Sequence, residues 1–245
     1  KRGQRQRIGQ SILSTPNEGD SYIISRYVRK TSTGSTMKPN LFFCGDSVTF
    51  GMELEPYGRE EKRFSHLVAT DKNLSYHNIS KSGACNDWIV KTAISYFREG
   101  NTCDTAIIQF SAPERWIYFD PTKSEIYNGV ILKRGEVWRN IGNAKTTNNL
   151  KSQAMADAHS AYYKYIYTEQ LAIENYWKNV FLIDFYLKDK CKTIYLTLGN
   201  SVEKNGWTTD VEIGSVKEIV GDSHLVGHPS PEGHRKIADY ILKRM

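Results

Sequence analysis

Short apolar runs and helix-spaced apolar positions alternate along most of this chain. Four runs are typical of buried strands, at residues 41–44, 75–79, 104–110 and 192–198. Apolar positions at the spacing of an amphipathic helix occur at residues 64–69, 88–97 and 231–244. Strands that alternate with helices form βαβ units, and such units build a parallel sheet that helices cover. The pattern therefore predicts an α/β fold with a mainly parallel sheet.

One region interrupts this alternation between the third and fourth strands. Apolar runs at 127–132 and 136–138 flank Lys133-Arg134-Gly135, which predicts a β-hairpin within an insertion at about residues 113–150. From residue 148 to about 189 the apolar positions favour a largely helical segment.

The start of the chain carries most of its charge. Residues 1–37 have little apolar periodicity apart from a β-rich stretch at 21–28, so we predict an extended arm with an edge strand. The formal net charge is +6, and most of this excess lies within residues 1–30. Such an arm suits contact with another subunit, an acidic partner or nucleic acid, or it is a solvated tail. The remaining residues, 38–245, form one nearly neutral domain, which argues against a nucleic-acid enzyme.

Composition narrows the class of protein further. A chain of 245 residues that is 39% hydrophobic is long enough for one sizeable core. No apolar run approaches the ~20 residues of a membrane span, and no signal peptide is visible. The four cysteines are widely spread without a C-x-x-C pair, so we expect free thiols. These features favour a reducing compartment such as the cytoplasm.

A strand-to-helix turn is the first candidate for chemistry. The run 41–44 ends at Gly45-Asp46, two residues that tolerate a tight turn, and Ser47 follows. In an open α/β sheet this is the carboxyl edge, where ligands bind. Taken alone, Gly45-Asp46-Ser47 is more typical of an ordinary turn with a serine cap. A serine becomes a nucleophile only where a base takes its proton, so the function of Ser47 depends on a base elsewhere.

Residues 221–234 supply candidate bases, because they hold three histidines and an aspartate. Histidine is well suited to accept a serine proton near neutral pH. A loop after the last strand and a turn after the first lie at the same edge of a parallel sheet. Gly-Asp-Ser occurs again at 221–223, but no suitable strand precedes Ser223, so we favour Ser47 as the nucleophile.

These motifs together resemble the SGNH/GDSL hydrolase superfamily, in particular the divergent SGNH-like proteins of tailed phages. The resemblance rests on Gly45-Asp46-Ser47, on Gly83 after the second strand, and on His228-Pro229 and Gly233-His234 before the last helix. It covers about residues 38–112 and 190–245. It implies a three-layer flavodoxin-like sandwich and a serine esterase that acts on acyl esters, carbohydrate O-acetyl groups among them.

The resemblance also implies roles for individual residues. Ser47 corresponds to the nucleophile, and its backbone N–H to one donor of the oxyanion hole. Gly83 corresponds to a second backbone donor, with the side chain of Asn86 as an alternative donor. His228 corresponds to the general base.

Two positions depart from the family pattern. The family has Gly-x-Asn-Asp after the third strand, where this chain has Ser111-Ala112-Pro113-Glu114, so Arg115 or Asn86 is the candidate substitute for the missing oxyanion donor. The family also places an acid three residues before the base, where this chain has Leu225. Asp222 is the nearest acid and the candidate to orient the base, and the alternative is a Ser-His dyad.

Other interpretations lead to different expectations. Asp222, His224, His228 and His234 are rich enough in ligand types to suggest zinc. However, a predicted helix start at His234 and the stiff His228-Pro229 pair disfavour convergence, so we predict neither a metal nor a cofactor. The departures from the family motifs also motivate an alternative function, an SGNH-fold structural or binding module, for example virion-associated, with weak or no catalysis.

Overall fold

The computed structural model describes residues 39–119, 125–127, 130–132, 136–139, 157, 160–161, 164–199, 202, 206–207 and 210–245. The predicted arm and its edge strand lie outside the described residues, and so does much of the predicted insertion. Within the described helices, none combines the length and the apolar character needed to cross a membrane.

The described elements alternate between strands and helices. The strands are β1 (Leu41–Gly45), β2 (Tyr76–Ser80), β3 (Thr105–Phe110), β4 (Trp116–Phe119), β5 (Glu125–Tyr127), β6 (Val130–Leu132), β7 (Glu136–Arg139), β8 (Lys192–Thr197) and β9 (Ile213–Ser215). The helices are α1 (Ser47–Phe50), α2 (Arg59–Lys62), α3 (Phe64–Lys72), α4 (Asn86–Arg98), α5 (Glu169–Leu187), α6 (Val216–Val220) and α7 (Pro231–Leu242), with a 3₁₀ turn at Glu55–Tyr57.

Five parallel strands form the central sheet in the order β2-β1-β3-β8-β9. Numbered within the sheet alone, this is the order 2-1-3-4-5 of flavodoxin-like folds. The predicted α/β fold with a parallel, flavodoxin-like sheet is therefore confirmed. In such a sheet the carboxyl ends of β1, β2 and β3 lie side by side, and the residues that follow them form one edge.

Helices cover both faces of this sheet, and β1 shows why. Phe42 and Cys44 pack into one apolar cluster with residues of α4 and α5. Leu41 and Phe43 pack into a second cluster with residues of α3, α6 and α7. Successive side chains of a strand point to opposite faces, so a central strand between two helical layers needs an unbroken apolar run.

The insertion contains antiparallel strands, but their pairing differs from the prediction. β5 pairs with β6, with Tyr127 opposite Val130, and β4 pairs with β7. The predicted hairpin around Lys133-Arg134-Gly135 is therefore wrong. Asn-Gly is the strongest short hairpin signal in a sequence, and the sequence has Asn128-Gly129 between β5 and β6, so the stronger of the two signals agrees with the observed pairing.

Candidate active site

The turn after β1 is held in place by β3. Asp46 caps α1, with Oδ1 accepting from the backbone N–H of Val48 at 3.0 Å. Oε1 of Gln109 in β3 accepts from the backbone N–H of Asp46 at 3.1 Å and from the hydroxyl of Thr49 at 3.0 Å. Ser47 is the first residue of α1 and is buried. Its backbone position is thus determined by hydrogen bonds on both sides of the turn.

A buried ion pair joins the residues that follow three strands. Nη1 of Arg115, after β3, donates to Oδ2 of Asp46 at 2.9 Å and to the carbonyl of Ala84 at 3.4 Å. The hydroxyl of Ser111 donates to the same Asp46 oxygen at 3.0 Å. Burial raises the pKa of Asp46, and the charge of the Arg115 guanidinium opposes that rise. Arg115 therefore braces the turn of Ser47, and its role as an oxyanion donor stays a prediction.

Gly83 lies in the loop after β2, beside the turn of Ser47. Gly45 of β1 pairs with Ser80 of β2, so the two loops leave neighbouring strand ends. Gly83 has a φ of +76°, which side-chain-bearing residues rarely adopt, and no atom lies within 4 Å of the place a Cβ would occupy. Within the described chain, the backbone N–H groups of Ser47 and Gly83 have no protein acceptor.

Asn86, the other predicted donor, is buried at the start of α4 and bonds to the loop after β3. Its Oδ1 accepts from the backbone N–H of Ser111 at 2.8 Å. Its Nδ2 donates to the carbonyls of Ser111 at 3.2 Å and Ala112 at 3.4 Å. The amide of Asn86 is thus engaged in shaping the loop whose sequence departs from the family motif. Its role as an oxyanion donor also stays a prediction.

The side chain of His228 contacts Glu53, which follows the turn of Ser47. Its Nδ1 lies 3.1 Å from Oε1 of Glu53, and Oε2 of Glu53 accepts from the backbone N–H of Gly227 at 3.2 Å. The close contact with His228 and the backbone hydrogen bond from Gly227 hold the pKa of Glu53 below its usual value. The backbone N–H of Met52 donates to the carbonyl of Ser47 at 2.9 Å, so Glu53 directly follows a turn that begins at Ser47. The loop of His228 therefore lies against the segment that carries Ser47.

Asp222 lies elsewhere on the same loop. It is exposed, and its backbone carbonyl accepts from the N–H of His224 at 2.9 Å. Leu225, where the family has its acid, donates its backbone N–H to the carbonyl of His228 at 2.7 Å. Glu53, and not Asp222, is thus the carboxylate in contact with the imidazole in the described part of the chain.

His234 is a packing residue of the interior. Its Nδ1 accepts from the backbone N–H of Phe64 at 3.2 Å, and its ring stacks on Phe64 with the centroids 5.8 Å apart. Burial, with smaller contributions from His228 and Arg63, lowers the pKa of His234 to about 3. The neutral ring joins the start of α7 to the start of α3. Among the described residues no group of three or more His, Cys, Asp or Glu side chains is arranged to hold a metal ion.

Two residues of the site escaped the sequence analysis, Glu53 and Gln109. Glu53 stands in a charged loop, and only its contact across the fold distinguishes it from its neighbours Glu55, Glu60 and Glu61. Gln109 is a wholly buried amide that interrupts the apolar run from Ala106 to Phe110. A polar side chain in such a run is the signal that could have pointed to it, because buried polar groups need partners.

Comparison with known proteins gives similarity only at the level of solved structures. No family model matches the sequence, and no curated protein matches it. Similar structures include the psychrotrophic esterase EstA from Pseudoalteromonas sp., at 11% identity and a TM-score of 0.46, covering 83% of this chain and 94% of that one. A member of the lipolytic protein G-D-S-L family from Veillonella parvula DSM 2008 matches at 11% identity and a TM-score of 0.42, covering 83% and 96%.

A third similar structure is an acetyl xylan esterase from the rumen bacterium Butyrivibrio proteoclasticus. It is 14% identical, with a TM-score of 0.45, and the match covers 83% of this chain and 62% of that one. Proteins named for the G-D-S-L family, to which the sequence motifs point, thus occur among the structural neighbours. Because the identities and TM-scores are this low, we infer nothing about the activity or substrate of this chain from these proteins.

Proposed function

We propose that this chain is a serine ester hydrolase in which Ser47 is the nucleophile and His228 the general base. The observation that carries the proposal is the contact of His228 with Glu53, because it holds the imidazole against the segment that begins at Ser47. The position of Ser47 at the carboxyl edge of a flavodoxin-like sheet, where ligands bind, supports it.

The proposed reaction proceeds through an acyl-enzyme. Nε2 of His228 takes the proton of the Ser47 hydroxyl as its oxygen attacks the ester carbonyl, whose π electrons move to the carbonyl oxygen. The backbone N–H groups of Ser47 and Gly83 donate to this oxyanion. Collapse of the intermediate expels the alcohol, which takes the proton from His228. Water, deprotonated by the same imidazole, then releases the acid and regenerates Ser47.

The proposed substrates are acyl esters. Among them, the resemblance of the sequence motifs to the SGNH/GDSL superfamily implies acetylated glycans. Hydrolysis of p-nitrophenyl acetate tests the chemistry without assuming the natural alcohol. Release of acetate from acetylated xylan then tests the glycan specificity separately.

Substitution of the nucleophile tests the proposal directly. Ser47→Ala is expected to lower the rate of p-nitrophenyl acetate hydrolysis by at least ~10³-fold and to abolish labelling by a fluorophosphonate. The matched control is Ser223→Ala in the second Gly-Asp-Ser, because the hydroxyl of Ser223 is engaged by the Lys236 ammonium at 2.7 Å. Equal rates for wild type and Ser47→Ala would refute the proposal. No turnover and no labelling in the wild type would favour the structural or binding module instead.

A further inference from the structure

Glu53 uses both of its carboxylate oxygens on the loop of the base. One oxygen lies 3.1 Å from Nδ1 of His228, and the other accepts from the backbone N–H of Gly227 at 3.2 Å. The hydrogen bond from Gly227 fixes the carboxylate on the backbone of the loop, and the contact with Nδ1 has the distance of an ion pair without the geometry of a hydrogen bond. A carboxylate that faces Nδ1 favours a proton on that nitrogen, which leaves the lone pair of Nε2 free on the opposite side of the ring, as a general base needs.

The backbone of Glu53 is itself unusual. Its φ is +68°, in the left-handed region that non-glycine residues seldom adopt. The other such residue in the described chain, Asn73, ends α3, where asparagine is commonly found. A glutamate persists in this conformation only where its surroundings hold it, and such residues cluster at functional sites. The residue with this conformation is the one that contacts His228, 175 positions away in the sequence.

The other candidate acids are unsuited to this role. Position 225 is leucine, and Asp222 is exposed. Asp46 is wholly buried and paired with Arg115. Glu53 is therefore the carboxylate that the fold brings to the base.

We infer that Glu53 is the positioning residue of the site: it orients His228 and stabilises the imidazolium, in place of an acid preceding the histidine. This role rests on the proposed function of Ser47 and His228. While Nε2 of His228 takes and returns the serine proton, the Nδ1 proton stays on the ring and Glu53 stays ionised. The nucleophile and its supporting acid then come from one short segment, residues 47–53, and the base alone comes from the other end of the chain.

Two substitutions of Glu53 test this role. Glu53→Gln keeps the shape and removes the charge. Glu53→Gly removes the side chain and suits the left-handed backbone, so it is expected to fold even if the first variant does not. Both are expected to lower kcat for p-nitrophenyl acetate by ~10²–10³-fold with little change in KM. We expect a smaller effect than for a fully buried acid, because the Glu53 side chain is 30% exposed. Glu61→Gln, at an exposed glutamate of α2, is the matched control and is expected to leave kcat within about twofold of wild type.

Nitrogen NMR of the histidine rings gives a second readout that needs no turnover. In the wild type we expect the neutral His228 ring as the Nδ1–H tautomer, and in both Glu53 variants a shift towards the Nε2–H tautomer. An unchanged tautomer and an unchanged kcat in Glu53→Gly would overturn the inference, as would a loss of activity in Asp222→Asn alone. If the wild type hydrolyses no ester, the proposed function fails, and the NMR comparison still decides whether Glu53 orients His228.

Discussion

Replacement of Arg115 tests how much its buried ion pair with Asp46 contributes to the stability of the fold. Asp46 is wholly buried, and its Oδ2 accepts from Nη1 of Arg115 at 2.9 Å and from the hydroxyl of Ser111 at 3.0 Å. In Arg115→Met the aliphatic stem remains, but the buried carboxylate loses its counter-charge. The variant therefore tests the ion pair itself, with little change in packing.

The magnitude follows from the burial of both partners. The Asp46 side chain is 0% exposed and that of Arg115 is 9% exposed, so solvent screens the pair little. Loss of one partner of a buried pair typically costs ~3–5 kcal/mol. The bonds from Ser111 and Val48 remain in place, so we expect a loss of about 3 kcal/mol, at the lower end of that range. For a chain of this size the loss lowers Tm by roughly 10 °C.

The loss is expected to depend on pH in a definite direction. Burial already raises the pKa of Asp46 above its ordinary value of 3.8, and without Arg115 only the weaker opposition of the hydrogen bonds from Val48, Ser111 and Gln109 remains, so the pKa rises further. A folded state that binds the proton more tightly than the unfolded state loses stability as pH rises. Arg115→Met is therefore expected to be most destabilised at neutral pH, and to recover part of the difference from wild type at about pH 5.

Urea unfolding followed by tryptophan fluorescence measures both effects. Arg98→Met, at an exposed position in the last turn of α4, is the matched control and is expected to change stability by less than ~0.5 kcal/mol. Asp46→Asn combined with Arg115→Met removes both charges and is expected to be more stable than Arg115→Met alone. A loss below ~1 kcal/mol, or one equal at both pH values, would refute the reasoning.

Three further predictions concern residues around the site. The pKa of His234 is lowered to about 3 in the fold, so the stability it contributes is complete above the unfolded pKa of about 6.5 and is lost as pH falls towards 3. We expect His234→Asn to reduce the slope of urea stability against pH by up to ~1.4 kcal/mol per pH unit, and an unchanged slope would contradict this. Asn86→Ala leaves the buried N–H of Ser111 without its acceptor and is expected to destabilise by ~1–3 kcal/mol in the same assay, whereas wild-type stability would show that water replaces the amide. Gly45→Ala places a methyl group against the Thr49 side chain and is expected to lower Tm by several degrees, and a neutral result would mean that Thr49 moves aside at little cost.

The sequence by itself determined the layered architecture. The unbroken apolar run at Leu41–Cys44 can be satisfied only between two apolar layers, and the alternation of such runs with amphipathic segments leaves a parallel α/β sheet. The turn at Gly45-Asp46-Ser47 could also be predicted from the sequence, because a strand-to-helix turn depends on residues that are neighbours along the chain. The predicted hairpin of the insertion was wrong because two turn signals lie within a few residues of each other in the sequence, and Asn128-Gly129 is the stronger signal.

The tertiary structure alone decided what surrounds the proposed nucleophile. Glu53 is one of several acidic residues in a charged loop, and its contact with His228 spans 175 positions of sequence. Arg115 similarly reaches back 69 positions to Asp46. Neither contact can be recognised from a local sequence pattern. A contact between distant segments depends on how the tertiary fold brings them together, and not on propensity or periodicity. For the same reason the sequence pointed to Asp222, which is near His228 along the chain but is not the carboxylate that contacts its imidazole in the fold.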